Sequence, residues 1–202
     1  MSRCVYTSFF TPDYTEPASR LVNSLHAHDL DYDVQKVPDA GTWMANCARK
    51  PKFIYEQLAK MPGRPVVWTD ADSEVIQGPS LFEESIGLMS GIDAAVCEYT
   101  WKAYPKRETF SGTIWFAPTP GALRLVDIWA ALQTVSPNEM DQRVLARAVE
   151  LARAEGVRVA TLPVEYCFIT DLHRREWPDK KPVFEHFQHS RIRRRLDAKN
   201  GR

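Results

Sequence analysis

Strand patterns and helix patterns alternate along most of this 202-residue chain, and this alternation restricts the choice of fold more than any other feature. Strands are predicted where short apolar runs occur, at residues 4–10, 32–37, 66–69, 93–99, 113–117, 157–162 and 183–187. Longer segments with apolar residues at helical spacing lie between many of them. The order of these elements predicts an α/β sandwich with a largely parallel central sheet. In such a sheet, ligands bind at the carboxyl ends of the strands.

The helix predictions depend on both spacing and end signals. Helices are predicted at residues 17–25, 48–60, 79–86, 119–130 and 136–155. Thr15 is expected to cap the first helix, just ahead of Pro17. Ser136-Pro137-Asn138-Glu139 has the pattern of a capping box with proline at the first helical position. Gly156 is expected to end the helix that this box would start.

Composition sets the broad class of protein. Lys+Arg and Asp+Glu number 26 each, so the formal net charge is zero, and a global electrostatic attraction to nucleic acid or membranes is excluded. The local exception is the run from Arg191 to Arg195. A hydrophobic content of 44% at this length suits one core. We therefore expect a single domain over residues 1–202, with a basic C-terminal tail at 190–202.

Cysteine usage and hydropathy point to a compartment. Cys4, Cys47, Cys97 and Cys167 are far apart and form no C-x-x-C pair, which is typical of reduced thiols in a cytosolic protein. The first residues contain no long apolar segment of the kind that signal peptides carry. No apolar run approaches the length of a transmembrane helix. A cytoplasmic location is expected.

Asp70 and Asp72 follow the apolar strand at 66–69 directly. Two carboxylates this close repel each other and are costly to desolvate unless a cation neutralises them. Mg²⁺ and Mn²⁺ prefer oxygen ligands and usually share their coordination shell with substrate phosphates. The pair therefore favours a metal ion with a phosphorylated ligand. The alternative is a turn in which the aspartates cap local backbone groups.

The segment VVWTDADSEV, which contains this pair, resembles the D-x-D segment of GT-A-fold glycosyltransferases. Further segments occur in the order that this family uses: VYTSFFTPDY, NCARKPKFIYEQL, SGTIWFAPT, EMDQRVL and PVFEHFQHS. The resemblance implies a GT-A-like (Rossmann-like) α/β/α sandwich with a mixed, largely parallel central sheet. It also implies transfer of a sugar from a nucleotide-diphospho-sugar, with UDP favoured, to an acceptor hydroxyl. The acceptor stays open among a glycan, a protein and a modified nucleic acid.

The resemblance assigns the metal ligands. Asp70 would lie near the ribose and the metal, Asp72 would bind Mn²⁺ (or Mg²⁺) directly, and a late histidine would complete the set. His186 fits the family pattern better, with His189 as its substitute. Because residues three apart on a strand face opposite sides, only one of the two is expected to serve. The alternative is that both are ordinary, partly exposed histidines.

Donor-binding residues are expected in several of the resembling segments. Hydroxyl groups and an aromatic ring near the first strand are expected to contact the nucleobase and the ribose. A cation ahead of the D-x-D strand is expected to contact the diphosphate. A glycine that lets the backbone approach closely is expected to contact the sugar. These residues are Thr7, Ser8, Tyr14, Lys52, Asp70, Ser111 and Gly112, with Lys50 and Arg191 as further cations. The aromatic residues Tyr99, Trp101 and Tyr104 would line the acceptor site or form a hydrophobic corner.

Asp141 and Gln142 are the candidate catalytic residues. In an inverting enzyme Asp141 would take the proton of the acceptor hydroxyl as a general base. In a retaining enzyme Asp141 or Gln142 would lie beside the anomeric carbon. The alternative for Asp141 is a carboxylate that stabilises the helix dipole. The sequence leaves the stereochemistry open.

Two other functions compete with sugar transfer. A nucleotidylyltransferase or phosphotransferase also needs carboxylates and a metal, but nucleotidylyltransferases usually begin with a glycine-rich loop, and CVYTSFFTPDY contains no glycine. A non-catalytic derivative of the fold would bind nucleic acid through its arginine-rich tail. The presence of both aspartates and a late histidine argues against that derivative.

Overall fold

The computed structural model describes residues 3–83, 91–101 and 107–191. The strands are β1 Val5–Phe10, β2 Asp31–Lys36, β3 Val66–Thr69, β4 Ser73–Val75, β5 Ala94–Thr100, β6 Arg107–Phe116, β7 Val159–Leu162, β8 Phe168–Ile169 and β9 Phe184–His186. The helices are α1 Thr15–Ala27, α2 Trp43–Cys47, α3 Lys50–Lys60, α4 Ser80–Glu83, α5 Pro120–Val135, α6 Asp141–Ala154 and α7 Thr170–Glu176. Short 3-10 turns lie at Pro12–Tyr14 and Val164–Cys167.

In the described residues, six strands form the main sheet in the order β2-β1-β3-β6-β5-β7. β1 runs parallel to β2 and β3, and β5 runs parallel to β7. β6 is antiparallel to both of its neighbours, β3 and β5. The predicted mixed, largely parallel sheet is confirmed. Because β1 and β3 are parallel neighbours, their carboxyl ends meet at one edge of the sheet.

A second sheet, in the order β4-β9-β8, lies after the carboxylate pair. β4 is antiparallel to β9, and Ser73 is paired with His186. β8 is parallel to β9, and Ile169 is paired with the same histidine on its other side. This sheet therefore fixes the position of His186 relative to the chain that follows β3.

Side chains of the central strands alternate between the two faces of the main sheet, and each face belongs to its own hydrophobic core. Tyr6 and Val67 belong to the core that contains α1 and the second sheet. Val66 and Trp68 belong to the core formed with α3, α5 and α6. Successive strand residues point to opposite faces, so each central strand is buried on both sides and reads as a continuous apolar run. The result is the predicted α/β/α layering.

One predicted helix start is confirmed and two are wrong. Thr119 caps α5, because its hydroxyl accepts the N–H of Ala122. Thr15 is not a cap: it is the first residue of α1, and its hydroxyl donates to the Pro12 carbonyl. The Ser136–Glu139 capping box is also wrong, since α6 begins at Asp141. The buried Gln133 amide donates to the carbonyls of Ser136 and Glu139 and holds these residues in a turn instead.

Other boundaries differ from the sequence predictions. The predicted helix at 48–60 corresponds to α3, a separate short helix, α2, that was not predicted precedes it, and the strand predicted at 113–117 extends back to Arg107. The short elements β4, β8 and α7 were not predicted. Gly156, with a φ of +89°, follows α6 as expected. Ile86 of the predicted helix at 79–86, Tyr104 and tail residues 192–202 lie outside the described residues.

Cys4, Cys47, Cys97 and Cys167 are all free thiols, and Cys47 alone among these four is not buried. Within the described parts of the chain, each helix is too short or too polar to cross a membrane.

Candidate active site

A cleft with a volume of about 160 Å³ lies at the carboxyl ends of β1 and β3. Its walls come from the segment after β1, from α2 and the start of α3, from the end of β3, from β6, from the start of α6 and from the segment after β9. The cleft therefore stands where a largely parallel sheet is expected to bind its ligand.

An irregularity in β6 lies beside the cleft and includes Ser111, which lines it. β5 pairs Val96 with Ile114 but the next residue, Cys97, with Phe110. Ser111, Gly112 and Thr113 are thus skipped by β5 and bulge out of this pairing. Bulges of this kind often lie beside active sites, where they redirect side chains.

The carboxylate pair lies in a tight turn between β3 and β4. The Asp70 N–H donates to the Gly112 carbonyl at 2.8 Å. The Ser73 hydroxyl and N–H both donate to the Asp70 carbonyl, at 2.8 and 3.0 Å. The Asp72 carbonyl accepts the N–H of Phe187, which directly follows β9. The backbone of the pair is therefore anchored to β6 on one side and to β9 on the other.

Asp70, Asp72 and His186 form a group that can hold a metal ion, since one ligand atom of each lies within 4.8 Å of the others. Two carboxylates and one imidazole are ligands that suit Mn²⁺ and related divalent ions. Asp72 and His186 are buried, whereas about a third of the Asp70 side chain (33%) is exposed to the cleft. His189 does not belong to this group: its ring packs edge-on against Tyr14, with centroids 4.8 Å apart.

The close packing of these groups changes their proton affinities. Burial raises the pKa of Asp70 to about 6, with Asp72 adding to the rise and Lys50 opposing it. Burial alone would lower the pKa of His186, but the Cys167 sulfur and the carboxylates of Asp70 and Asp72 raise it to about 9. A concentration of negative charge thus marks the place where a cation is expected to bind.

Lys50 links the carboxylate pair to Asp141. Its Nζ lies 2.9 Å from Asp70 Oδ1 and 2.7 Å from Asp141 Oδ2. The Ser111 hydroxyl donates to the same Asp141 oxygen at 2.8 Å. Burial disfavours the charge on Lys50, yet Asp141 and Asp70 outweigh this effect and raise its pKa above the usual value. Lys50, Asp70, Ser111 and Asp141 therefore form one buried ionic network along the cleft.

Lys52 was the predicted donor contact, with Lys50 as a further cation, whereas the structure buries Lys50 in the cleft and leaves Lys52 exposed on α3, outside the cleft lining. Helical spacing was the signal that separates the two. Residues 53, 54, 57 and 58 are buried on α3, and Lys50 lies on the same face, because it precedes them by three, four, seven and eight residues. Lys52 lies on another face.

The other predicted residues divide into those in the cleft and those behind it. Tyr14, Asp70, Ser111, Asp141 and Gln142 line the cleft. Thr7 and Ser8 lie within β1 and are fully buried, and the Thr7 hydroxyl donates to the Asp33 carbonyl at 3.1 Å. Gly112 lies against the His186 ring rather than in the cleft lining. Cleft residues that the sequence analysis did not name include Trp43, Asn46 and Gln188.

Tyr99 and Trp101 lie outside the cleft lining. They pack with Phe110, His173 and Trp177 in a cluster of rings. The acceptor assignment for these residues stays a prediction, and Tyr104 is outside the described residues.

Solved glycosyltransferases share this arrangement of strands and helices. A glycosyltransferase involved in the glycosylation of the major capsid of PBCV-1 aligns with a TM-score of 0.66 at 16% sequence identity, covering 97% of this chain and 99% of that chain. The chain has a glycosyltransferase fold. The glycosyltransferase GlyE of Streptococcus pneumoniae TIGR4 aligns with a TM-score of 0.57 at 12% identity, covering 93% of this chain and 55% of that chain. No protein-family model and no curated protein matches the sequence.

These alignments confirm the fold predicted from the D-x-D segment and its neighbours. The Asp70, Asp72 and His186 group also fits the metal site expected for a D-x-D protein of this fold. The likeness is one of fold, so the chemistry is argued below from the side chains in the cleft.

Proposed function

We propose that the chain is a metal-dependent glycosyltransferase that moves a sugar from a nucleotide-diphospho-sugar to an acceptor hydroxyl. The observation that carries this proposal is the convergence of Asp70, Asp72 and His186 at the strand ends of a glycosyltransferase fold. The three ligands come from the β3–β4 turn and from β9, so only the folded chain brings them together.

Asp70, Asp72 and His186 would hold the metal, with Mn²⁺ favoured over Mg²⁺ because an imidazole nitrogen is among the ligands. When bound, the ion supplies a positive charge that stabilises the diphosphate leaving group. The exposed part of Asp70 leaves one side of the group open to the cleft, where the diphosphate would enter.

Asp141 is proposed to position the donor sugar through Lys50. The Oδ2 atom of Asp141 accepts hydrogen bonds from both Lys50 and Ser111, so this atom is already engaged in the network. The Asp141 carboxylate would thus hold the Lys50 ammonium group between a bound sugar and the proposed metal ligands. Gln142, the next residue, lines the cleft with a neutral amide and is proposed to lie beside the anomeric carbon.

The nucleobase is proposed to bind in the cleft against aromatic side chains. Tyr14 and Trp43 line the cleft, and rings of this kind can stack on a base. The Asn46 amide, also in the lining, accepts the Ala40 N–H and donates to Asp39, so it shapes the wall of the cleft. UDP-sugars are the favoured donors, as the resemblance to D-x-D glycosyltransferases implies. The free thiols favour a reducing compartment such as the cytoplasm.

The experiment that tests this function is thermal unfolding against a panel of UDP-, GDP-, CMP- and ADP-linked sugars, with and without Mn²⁺. A ligand that binds only the native state raises the unfolding midpoint. We expect a rise that needs both Mn²⁺ and one nucleotide family. Asp72→Asn should abolish the metal-dependent part, because it removes a charged ligand, whereas Asp179→Asn, an exposed control, should keep it.

Two outcomes contradict the proposal. One is the absence of a shift with every donor in a folded wild-type protein; the next test is then nucleic-acid binding by the arginine-rich tail. The other is a shift that D72N leaves intact, because the nucleotide would then bind without the D-x-D site.

A further inference from the structure

Gly112 forms the wall behind the metal-binding group, on the bulge of β6. We infer that Gly112 is a positioning residue, and that its missing side chain makes the room in which the His186 ring reaches Asp70 and Asp72. The inference rests on the metal-dependent function proposed above. It replaces the expectation that this glycine lets the backbone approach the sugar.

The distances at this position leave no space for a methyl group. A Cβ atom on residue 112 would lie 2.8 Å from His186 Cε1, 3.1 Å from His186 Nδ1 and 3.0 Å from the Cys167 Sγ atom. Carbon atoms in contact are normally about 3.5–4.0 Å apart. An alanine here would therefore have to displace the imidazole, the thiol or the strand itself.

Backbone conformation does not explain the glycine. Gly41, Gly63, Gly91 and Gly156 have positive φ values, a region in which side chains are disfavoured, but Gly112 does not. What residue 112 requires is the absence of a side chain.

His186 is so closely packed that a new atom on residue 112 would displace its ring. His186 is 2% exposed, its backbone is paired with both β4 and β8, and its Nε2 atom lies 3.0 Å from the Thr113 hydroxyl. Cys167, on the same side, is also buried. Because densely packed interiors transmit a local displacement, a methyl group on residue 112 would shift the ring relative to the carboxylates.

Gly112 also contacts the carboxylate turn through its backbone. Its carbonyl accepts the Asp70 N–H at 2.8 Å, which ties the carboxylate turn to β6. One residue thus sets the position of the first aspartate through its carbonyl and the position of the histidine through its missing side chain. Asp70 and His186 come from distant parts of the sequence, and both contact this glycine.

The test is Mn²⁺ binding by the full chain without nucleotide, measured from the electron paramagnetic resonance signal of free Mn²⁺. Gly112→Ala is expected to weaken binding by about 10–100-fold, the usual cost of disturbing a residue that orients a metal ligand. Gly78→Ala is the matched control, because a Cβ there would have no atom within 4 Å and the glycine has no positive φ. The control should bind Mn²⁺ like the wild type.

A double-mutant cycle separates positioning from general damage to the site. In a His186→Ala background the ring is gone, so G112A should cause a much smaller loss of Mn²⁺ affinity than it causes in the wild type. Should G112A fail to fold, G112A combined with Cys167→Ala removes the sulfur contact but keeps the contact with the ring, and the same loss is expected.

The outcomes distinguish this inference from the proposed function. Two results would overturn the role of Gly112 alone. One is a G112A variant that binds Mn²⁺ as tightly as the wild type. The other is a loss of Mn²⁺ affinity on G112A substitution that is equal in the wild-type and H186A backgrounds. A wild-type protein that binds no Mn²⁺ would overturn the metal-dependent function together with this inference.

Discussion

Lys50 and Lys52 are two residues apart on one helix, yet one is buried between two carboxylates and the other is exposed. Removing a buried charge leaves its partners desolvated and unpaired, which is far more costly than removing a surface charge. The two lysines therefore make a matched pair for testing the ionic network.

Replacing Lys50 by Met should lower the free energy of unfolding by about 3 kcal/mol, because Asp141 would remain buried without its cation. Lys52→Met should change stability by less than about 0.5 kcal/mol, as is usual for exposed positions. Urea unfolding of both variants measures the difference. Equal stability of K50M and K52M would contradict the network described here.

His173 should make stability depend on pH in the acid range. Burial lowers its pKa to about 4 from an ordinary value of 6.5. Its Nδ1 atom accepts the N–H of Ile169 at 3.0 Å, which requires a neutral ring. Between pH 6.5 and 4 this histidine is protonated in the unfolded chain but stays neutral in the folded chain. The contribution of His173 to the free energy of unfolding is therefore fully present above pH 6.5 and is lost as the pH falls towards 4.

The measurement is the free energy of unfolding across this range for wild type and for His173→Gln. The wild type should lose stability more steeply on acidification, by up to about 1.4 kcal/mol per pH unit. Parallel curves for the two proteins would show that the ring is already charged in the folded state.

Among the elements, the two long helices α5 and α6 start differently. Thr119 caps α5: its hydroxyl accepts the Ala122 N–H and donates to Asp93. Ser136 stands five residues before α6, and its hydroxyl accepts only a long bond of 3.4 Å from Arg147. The capping-box pattern at 136–139 would instead have predicted that Ser136 contributes more to stability than Thr119.

Thr119→Ala is therefore expected to cost about 1–2 kcal/mol of stability, the usual value of a lost cap. Ser136→Ala is expected to cost less than about 0.5 kcal/mol, as for other surface positions. Thermal and urea unfolding of the two variants decide between the sequence pattern and the observed helix start. A larger loss in S136A than in T119A would favour a helix that begins at Ser136.

Strands of the main sheet were predictable because they are buried on both faces and read as apolar runs. The short elements β4, β8 and α7 were not, since three to seven residues carry too little pattern and depend on their tertiary partners. The bulge at Ser111, Gly112 and Thr113 was equally hidden, because it exists only as a mismatch between β5 and β6. Sequence reasoning thus found Ser111 and Gly112 but not what Gly112 contacts.

At the scale of the whole molecule, the group formed by Asp70, Asp72 and His186 is a product of topology. Asp70 and Asp72 follow β3, and His186 lies on β9, more than a hundred residues later, yet Ser73 and His186 are direct partners in the second sheet. The sequence order of these segments was enough to predict the fold and the grouping of Asp70, Asp72 and His186, whose role as metal ligands stays a proposal. Helical spacing separates Lys50 from Lys52 on α3, but only the fold shows that the buried face of this helix meets the cleft.

The proposed sugar transfer breaks the bond between the anomeric carbon and the diphosphate oxygen. The most direct measurement is mass spectrometry of the products formed from a bound UDP-sugar in ¹⁸O-labelled water with Mn²⁺, where water takes the place of the acceptor. We expect the wild type, but not D72N, to form unlabelled UDP and a sugar carrying ¹⁸O. Label in a phosphate product, or cleavage that D72N retains, would contradict it and point to phosphoryl or nucleotidyl transfer.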